Sequence, residues 1–275
     1  MANPSFRRMG GTRVPRVGLL VVPLLAVAAA AADPPAYDPL VLPATESRLM
    51  HDLTVEDARR GRTIPVRVHL PAGKEAAPVV LFSHGLGGSR EGCAYLGEHW
   101  SARGYVVVFL QHPGSDTSVW RGKPLRQRQA AMDSAANGEN FLLRVRDVGA
   151  VLDQLAAWHG TDGHALAGRL DLSRVGMSGH SFGAMTTQAV SGQAFGPLGP
   201  VFTDSRIRAA VVLSPSSPRS GDPQTAFGGV RVPWLLMTGT RDLSPIGDVD
   251  MASRPGVFPC LPPGDKYEAR AAERR

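Results

Sequence analysis

Arg174-Val175-Gly176-Met177-Ser178-Gly179-His180-Ser181-Phe182-Gly183-Ala184-Met185-Thr186-Thr187-Gln188-Ala189-Val190 is the stretch on which the reading of this chain turns. A short apolar run leads into G-x-S-x-G, and a helix-compatible run leaves it. That order predicts a strand, a tight turn and a helix, with Ser181 at the apex. Glycines at 179 and 183 leave space that a Cβ would fill in so cramped a bend. The bend is expected to lift the Ser181 hydroxyl clear of the sheet, within reach of a carbonyl carbon. Gly and Ser are common in loops, so the motif alone says little. Its flanks make Ser181 the candidate nucleophile.

Upstream, two alternating runs, about Asp52 to Val55 and Ile64 to Leu70, flank a turn at 58–62 and predict an antiparallel hairpin. Pro78 to Ser83 and Tyr105 to Leu110 are continuous apolar runs, the pattern of strands covered on both faces. A helix is expected from Glu91 to Arg103, stopping at Gly104. From Asn140 to Trp158, Phe141, Leu142, Val145, Val148, Leu152 and Leu155 recur at three- and four-residue steps. Arg144, Arg146, Asp147 and Asp153 stand between them, so the segment reads as a helix lying on a sheet. Val175 to Ser178, Ala209 to Leu213 and Val232 to Met237 read as further strands. This alternation implies an α/β fold, a mostly parallel sheet with helices on both faces and right-handed crossovers. Ligands of such sheets bind beyond the carboxyl ends of the strands, so chemical residues should follow strands.

They do. Ser83-His84-Gly85-Leu86-Gly87-Gly88 follows the third strand. In acyl transfer such a loop supplies one backbone N–H of an oxyanion hole, and the residue after the nucleophile supplies the other. Here those donors are Leu86 and Phe182, each of a kind commonly worth about 3–4 kcal/mol in the transition state. An ordinary Gly-rich turn is the plain alternative, and His84 reads as inward support for the loop. In Gln111-His112-Pro113-Gly114-Ser115-Asp116, His112 and Asp116 border the same rim, either as substrate contacts or as a hydrogen-bonded brace. After the last recognisable strand comes Asp242, the candidate acid that would orient a catalytic histidine and stabilise its imidazolium. Asp222 is the runner-up, and Asp248 and Asp250 read as solvated loop charges. Trp100, Trp120, Trp158 and Trp234 read as packing.

The loop Ser83-His84-Gly85-Leu86-Gly87 taken with Gly179-His180-Ser181-Phe182-Gly183 resembles the α/β-hydrolase superfamily. Within it, the likeness is to platelet-activating-factor acetylhydrolase-like and cutinase-like ester hydrolases, many labelled predicted dienelactone hydrolase. It runs from about His51 to Tyr267. The resemblance implies a Ser-Asp-His serine hydrolase acting on carboxylic esters of short acyl groups or acetylated lipids, with no metal or organic cofactor. The chain departs from it in two respects. True dienelactone hydrolases use a cysteine where this chain has Ser181. No acid in the loop after Leu213 matches that of the acetylhydrolases proper, which moves the likeness toward the cutinase-like arrangement, although some relatives draw their acid from the region of Asp222.

A third departure matters more. The eight histidines are His51, His69, His84, His99, His112, His159, His164 and His180, and none follows Ser181. In relatives a segment like Leu261 to Glu268 opens a final strand, and a loop histidine follows. Here Ala269 to Arg275 lacks the apolar residues a closing strand would bury, so the last helix and strand are expected to be truncated. Serine without a base is a poor nucleophile, and losing the base costs about 10⁶ in kcat in a comparable triad. His180, as the motif's own x residue, is expected to point away from the Ser181 hydroxyl. The chain is therefore expected to be an impaired enzyme, through a shifted reading frame or shortened gene near Tyr267, or else a non-catalytic pseudoenzyme that binds an ester-like ligand.

Residues 1–32 stand apart from the fold. Arg7, Arg8, Arg13 and Arg16 precede an apolar run from Val17 to Ala32 that ends in small residues. That is the order of a secretory signal, too short and too interrupted by Pro23 for a membrane span. Export, to the periplasm or the medium, is expected. Residues 33–275 then form a single domain. The net charge of +6 includes those four arginines, leaving +2 for that domain. So balanced a surface gives no reason to expect nucleic acid or anionic membrane as a partner, and the expected partner is a small-molecule or lipid ester. Cys93 and Cys260, an even count in an exported chain, form either a disulfide or two separate thiols.

Overall fold

Uninterrupted Val, Leu and Phe give strands only where both faces can be covered, and two such segments lie at the centre of a sheet. The computed structural model describes residues 38, 41, 49–243, 246 and 253–272. The chain divides into Met1–Pro39 and Leu40–Arg275, and the architecture below belongs to the second unit. The expected leader, 1–32, lies outside the described residues.

In chain order the elements are β1 (Leu49–Asp57), β2 (Arg62–Leu70), β3 (Ala77–Ser83), α1 (Ala94–Ala102), β4 (Val106–Leu110), α2 (Leu125–Ala135), α3 (Gly138–His159), β5 (Leu170–His180), α4 (Phe182–Val190), β6 (Ile207–Leu213), α5 (Pro223–Phe227), β7 (Trp234–Gly239) and β8 (Lys266–Ala271). They build one eight-stranded sheet in the order β1-β2-β4-β3-β5-β6-β7-β8. β1 and β2 form the expected hairpin, and β2 meets β4 antiparallel. From β4 across to β8 every pairing is parallel. The loops after β3, β4, β5, β6 and β7 therefore emerge at one edge.

Strand alternation sorts the core into two faces. Val79, Leu81, Val106, Val108 and Leu110 point to α3, where Val145, Val148, Val151, Leu152 and Leu155 meet them. Ala184 of α4 and Phe227 of α5 cover Val212, Trp234 and Leu236 on the same side. Phe82, Val107 and Phe109 point the other way, against Leu96 and Trp100 on α1. Helices on both faces are thus as expected. Beyond the reach of α1, the second face thins out, and Met237 and Tyr267 stand 40% and 58% exposed.

The sequence and the structure differ in four places. β8 forms over six residues although Ala269 to Ala271 lack the large apolar side chains that a closing strand is expected to bury. Its backbone pairs with β7 from Trp234↔Lys266 to Gly239↔Ala271, and a ladder of peptide groups needs no apolar side chain at an exposed edge. β5 begins at Leu170, earlier than the apolar run, because Pro78↔Asp171 is followed by Val79↔Val175 and the residues between bulge out. α2 carries no apolar stripe and buries only Ala135, which hid it. α5 is a single capped turn, too short to show a period. Cys93 and Cys260 are both free thiols.

Candidate active site

Ser181 adopts φ 56°, ψ −113° between the end of β5 and the start of α4. This is a region that a side chain enters only under strain, typically about 1–3 kcal/mol. Two close approaches hold it there. A Cβ on Gly179 would collide with the Gly183 carbonyl, and one on Gly183 would collide with the Ser83 carbonyl at the end of β3. The Ser181 amide donates to Leu213 O of the neighbouring strand at 3.0 Å. The turn is therefore pinned from β3 on one side and β6 on the other. Both glycines are needed by the geometry expected of them.

The Gly85–Gly88 loop lies directly against that turn. A Cβ on Gly85 would sit 3.2 Å from His180 Nδ1 and 3.6 Å from Ser181 Cβ. Gly87 N donates to Ser115 O at 2.8 Å, Gly88 N to Gly85 O at 3.0 Å, and Trp120 Nε1 to Gly87 O at 2.7 Å. Gly87 has φ 70°, and a Cβ there would press on Met132. Among the described residues, neither the Leu86 N–H nor the Phe182 N–H has an acceptor. Leu86, Ser181 and Phe182 line one cavity of about 1760 Å³. Its lining includes the apolar Met132, Phe141, Met185 and Phe195 and the polar Ser216, Arg219, Thr225 and Arg254.

His112 and Asp116 are not on the rim of that cavity. His112 is fully buried, its Nδ1 2.9 Å from Asp147 Oδ2 and its Nε2 3.0 Å from Ser83 Oγ. Asp116 is 4% exposed and accepts from Gln111 Nε2 and from the Ser118 amide and hydroxyl. Of the two roles open to them, the loop brace is the one the geometry has. The rim placement fails because the loop after β4 folds inward onto α3. His84 is the inward support expected, with Nε2 accepting from the His112 amide at 3.1 Å and Nδ1 2.6 Å from Gly85 O. That pairing places its proton on Nδ1.

Ser83, His112 and Asp147 form a serine–histidine–carboxylate chain, yet it is sealed from solvent and no substrate can reach its hydroxyl. Asp147 also accepts from Arg60 Nη1 at 3.0 Å and from Arg62 Nε and Nη2 at 2.7 and 2.9 Å. Arg144, one turn earlier on α3, is equally buried. It donates to Ser115 Oγ at 2.8 Å, Ser83 Oγ at 3.2 Å and His84 O at 2.6 Å, and lies 4.6 Å over the Phe182 ring. The sequence pattern passed over both charges as the polar side of the helix. A signal was present, since the three- and four-residue steps from Phe141 select Arg144 together with Val145.

Asp242 stands near the start of the loop after β7. Its Oδ2 accepts from Thr238 Oγ1 at 2.9 Å, and its Oδ1 lies 3.6 Å from Arg254 Nη2. No imidazole is hydrogen-bonded to it among the described residues. His180 lies on the cavity wall. Burial lowers its pKa, the nearby Asp242 charge opposes that shift, and Arg254 reinforces it. Asp222 also lines the cavity, but its carboxylate caps α5 through the amides of Gln224 and Thr225. Asp248 and Asp250 lie outside the described residues.

A cold-adapted esterase from an Arctic intertidal metagenomic library superposes with a TM-score of 0.55 at 18% identity, over 84% of this chain and 87% of that one. A ferulic acid esterase from Streptomyces cinnamoneus gives 0.55 at 21% identity, over 84% and 74%. An acylaminoacyl peptidase from Pyrococcus horikoshii gives 0.56 at 13% identity, over 84% of this chain and 38% of that one. The chain has the α/β-hydrolase fold. The family model of platelet-activating factor acetylhydrolase, isoform II, matches residues 48–150, which reach from β1 into α3. No curated protein matches the chain. In the α/β-hydrolase fold the strained turn after β5 and the Gly-rich loop after β3 meet at the carboxyl edge of the sheet, as Ser181 and Leu86 do here. No helix among the described residues is long and apolar enough to cross a membrane.

Proposed function

We propose that this chain is a serine carboxylic-ester hydrolase that works through an acyl-enzyme on Ser181. One observation carries the reading. The Ser181 backbone is held in a strained conformation at the cavity wall, beside two amides that have no acceptor among the described residues. Ser181 Oγ attacks the ester carbonyl, and the Leu86 and Phe182 N–H groups stabilise the oxyanion. The carbon–oxygen bond to the alcohol breaks as the serine proton passes through solvent water to the departing oxygen. A second water then attacks the acyl-enzyme, releasing the acid and returning the proton to Ser181. The apolar lining residues Met132, Phe141, Met185 and Phe195 suit the acyl half of short-chain esters or acetylated lipids. Asp242 has the place of the acid that orients a histidine. No histidine follows Ser181 in this sequence, and Arg254 is the group facing that carboxylate. Turnover is accordingly slow in this reading. Residues 1–32 direct export.

The Asp242–Arg254 contact also favours a second reading, a non-catalytic protein that binds an ester-like ligand in the same cavity. Hydrolysis of a chromogenic acetate ester, compared between the chain and its Ser181→Ala variant, separates the two. A rate lost in the variant supports the hydrolase. Equal rates support the binder.

A further inference from the structure

Arg144 has no place in the reaction just described, yet it touches both halves of the oxyanion site. From α3 its guanidinium reaches His84 O at 2.6 Å and Gly85 O at 3.3 Å, the two carbonyls that precede Leu86. It reaches Ser115 Oγ at 2.8 Å, and Ser115 O accepts the Gly87 amide on the far side of Leu86. Its flat face lies 4.6 Å from the centroid of the Phe182 ring, the residue that supplies the other amide. The side chain is fully buried, and Ser83 Oγ, which also meets His112 Nε2, accepts from it at 3.2 Å. A cation so enclosed is costly unless every donor is used. A planar fork that donates in several directions while stacking on a ring is a task for arginine and not for lysine.

We infer that Arg144 is a positioning residue: it sets the Leu86 and Phe182 amides at a fixed separation from Ser181 Oγ by holding the Gly-rich loop and the turn after β5 to one rigid group. The inference rests on the hydrolase reading, because it assigns those amides to an oxyanion. A donor displaced by about 1 Å loses much of its effect on a developing charge, on the order of 10²-fold in rate.

The test follows a fluorophosphonate probe on Ser181, whose tetrahedral phosphorus places an oxygen where the oxyanion would lie. The maximal inactivation rate and the concentration for half-maximal rate are measured separately for the full chain and its variants. Arg144→Lys and Arg144→Met are expected to lower the maximal rate at least tenfold with the half-saturating concentration unchanged. Ser115→Ala, which removes a single acceptor of Arg144 and keeps the core intact, is expected to act in the same direction more weakly. Leu152→Ala destabilises the same helix without touching the loop, and should lower the melting temperature but not the labelling rate. A labelled wild type with an unaltered rate in Arg144→Met and Ser115→Ala overturns the inference and leaves the hydrolase reading standing. A rate that follows melting temperature across all the variants, Leu152→Ala included, also overturns it. A wild type that is not labelled at Ser181 removes both.

Discussion

The carboxylate of Asp242 faces the guanidinium of Arg254 at 3.6 Å, across the loop that follows β7. Arg254 is 4% exposed and spends Nη1 on Ser214 O, Pro215 O and Ser216 Oγ at 2.8, 3.0 and 2.9 Å. It ties the loop after β6 to the loop after β7, so its charge has a structural use. Arg254→Met leaves those acceptors unpaired and is expected to cost about 2–3 kcal/mol, by analogy with lost hydrogen bonds to charged groups. Asp242→Asn keeps an acceptor for Thr238 and has no histidine to disorient. It is expected to change Ser181 labelling by less than about twofold, against the roughly 10⁴-fold typical when a triad acid is lost. Denaturant titration and probe kinetics on the two variants decide both points.

Acid should weaken the fold in two overlapping stages. Burial, then the Arg144 charge, bring His112 down from 6.5 to about 4, and the same two causes lower His84. Unfolding lets both imidazoles take a proton near 6.5, so the unfolded chain binds more protons than the folded one below that pH. Stability is complete above 6.5 and falls as pH drops toward 4, on the order of 3 kcal/mol for His112 alone. Burial raises Asp147, but hydrogen bonds from His112 and Arg62 outweigh it and set its pKa at about 2. Its contribution is present above 3.8 and is lost toward 2. Urea midpoints measured across this range should decline with pH, and His112→Gln should flatten the upper part. A wild-type midpoint constant between 6.5 and 4 would contradict the network.

Asp147→Ala removes the buried carboxylate shared by Arg60, Arg62 and His112, leaving Arg60 with Asp57 and Arg62 with Pro113 O alone. Breaking a buried ion pair from one side costs about 3–5 kcal/mol, a large part of the stability of a typical domain. The expected result is a sharp fall in melting temperature together with release of the β1–β2 turn, seen as faster amide exchange at 57–62. A loss below about 1 kcal/mol would mean that water reaches the pair.

Gly183→Ala forces a methyl group into the Ser83 carbonyl. Overpacking usually costs about 1–3 kcal/mol and more where backbone cannot yield, and here the obstacle is a strand end. Stability should fall by about 3 kcal/mol or more, with Ser181 labelling lost. Gly163→Ala is the control for backbone strain without a clash, since φ there is 78° and nothing lies within 4 Å of the added carbon. It should cost less and leave labelling unchanged.

Much of this was legible in the residues. Tyr105 to Leu110 and Pro78 to Ser83 read as strands covered on both faces, and G-x-S-x-G between a strand and a helix placed Ser181, Gly179 and Gly183 where they stand. These are local matters: a run of β-branched and aromatic side chains, a turn that excludes Cβ, and a period of three to four along α3 fix themselves within a few residues of chain. The fate of a charged group is not local. Nothing near Arg144 or Asp147 in the sequence says that Arg60, Arg62, Ser83, His84, His112 and Ser115 will converge on them from three other segments. Burying a charge is unfavourable by itself and becomes tolerable only when all its partners arrive together, which the packing of α3 on the sheet decides. For the same reason His112 passed from the rim to the interior, and β8 formed without a run of large apolar residues because the edge of β7 supplied its hydrogen bonds.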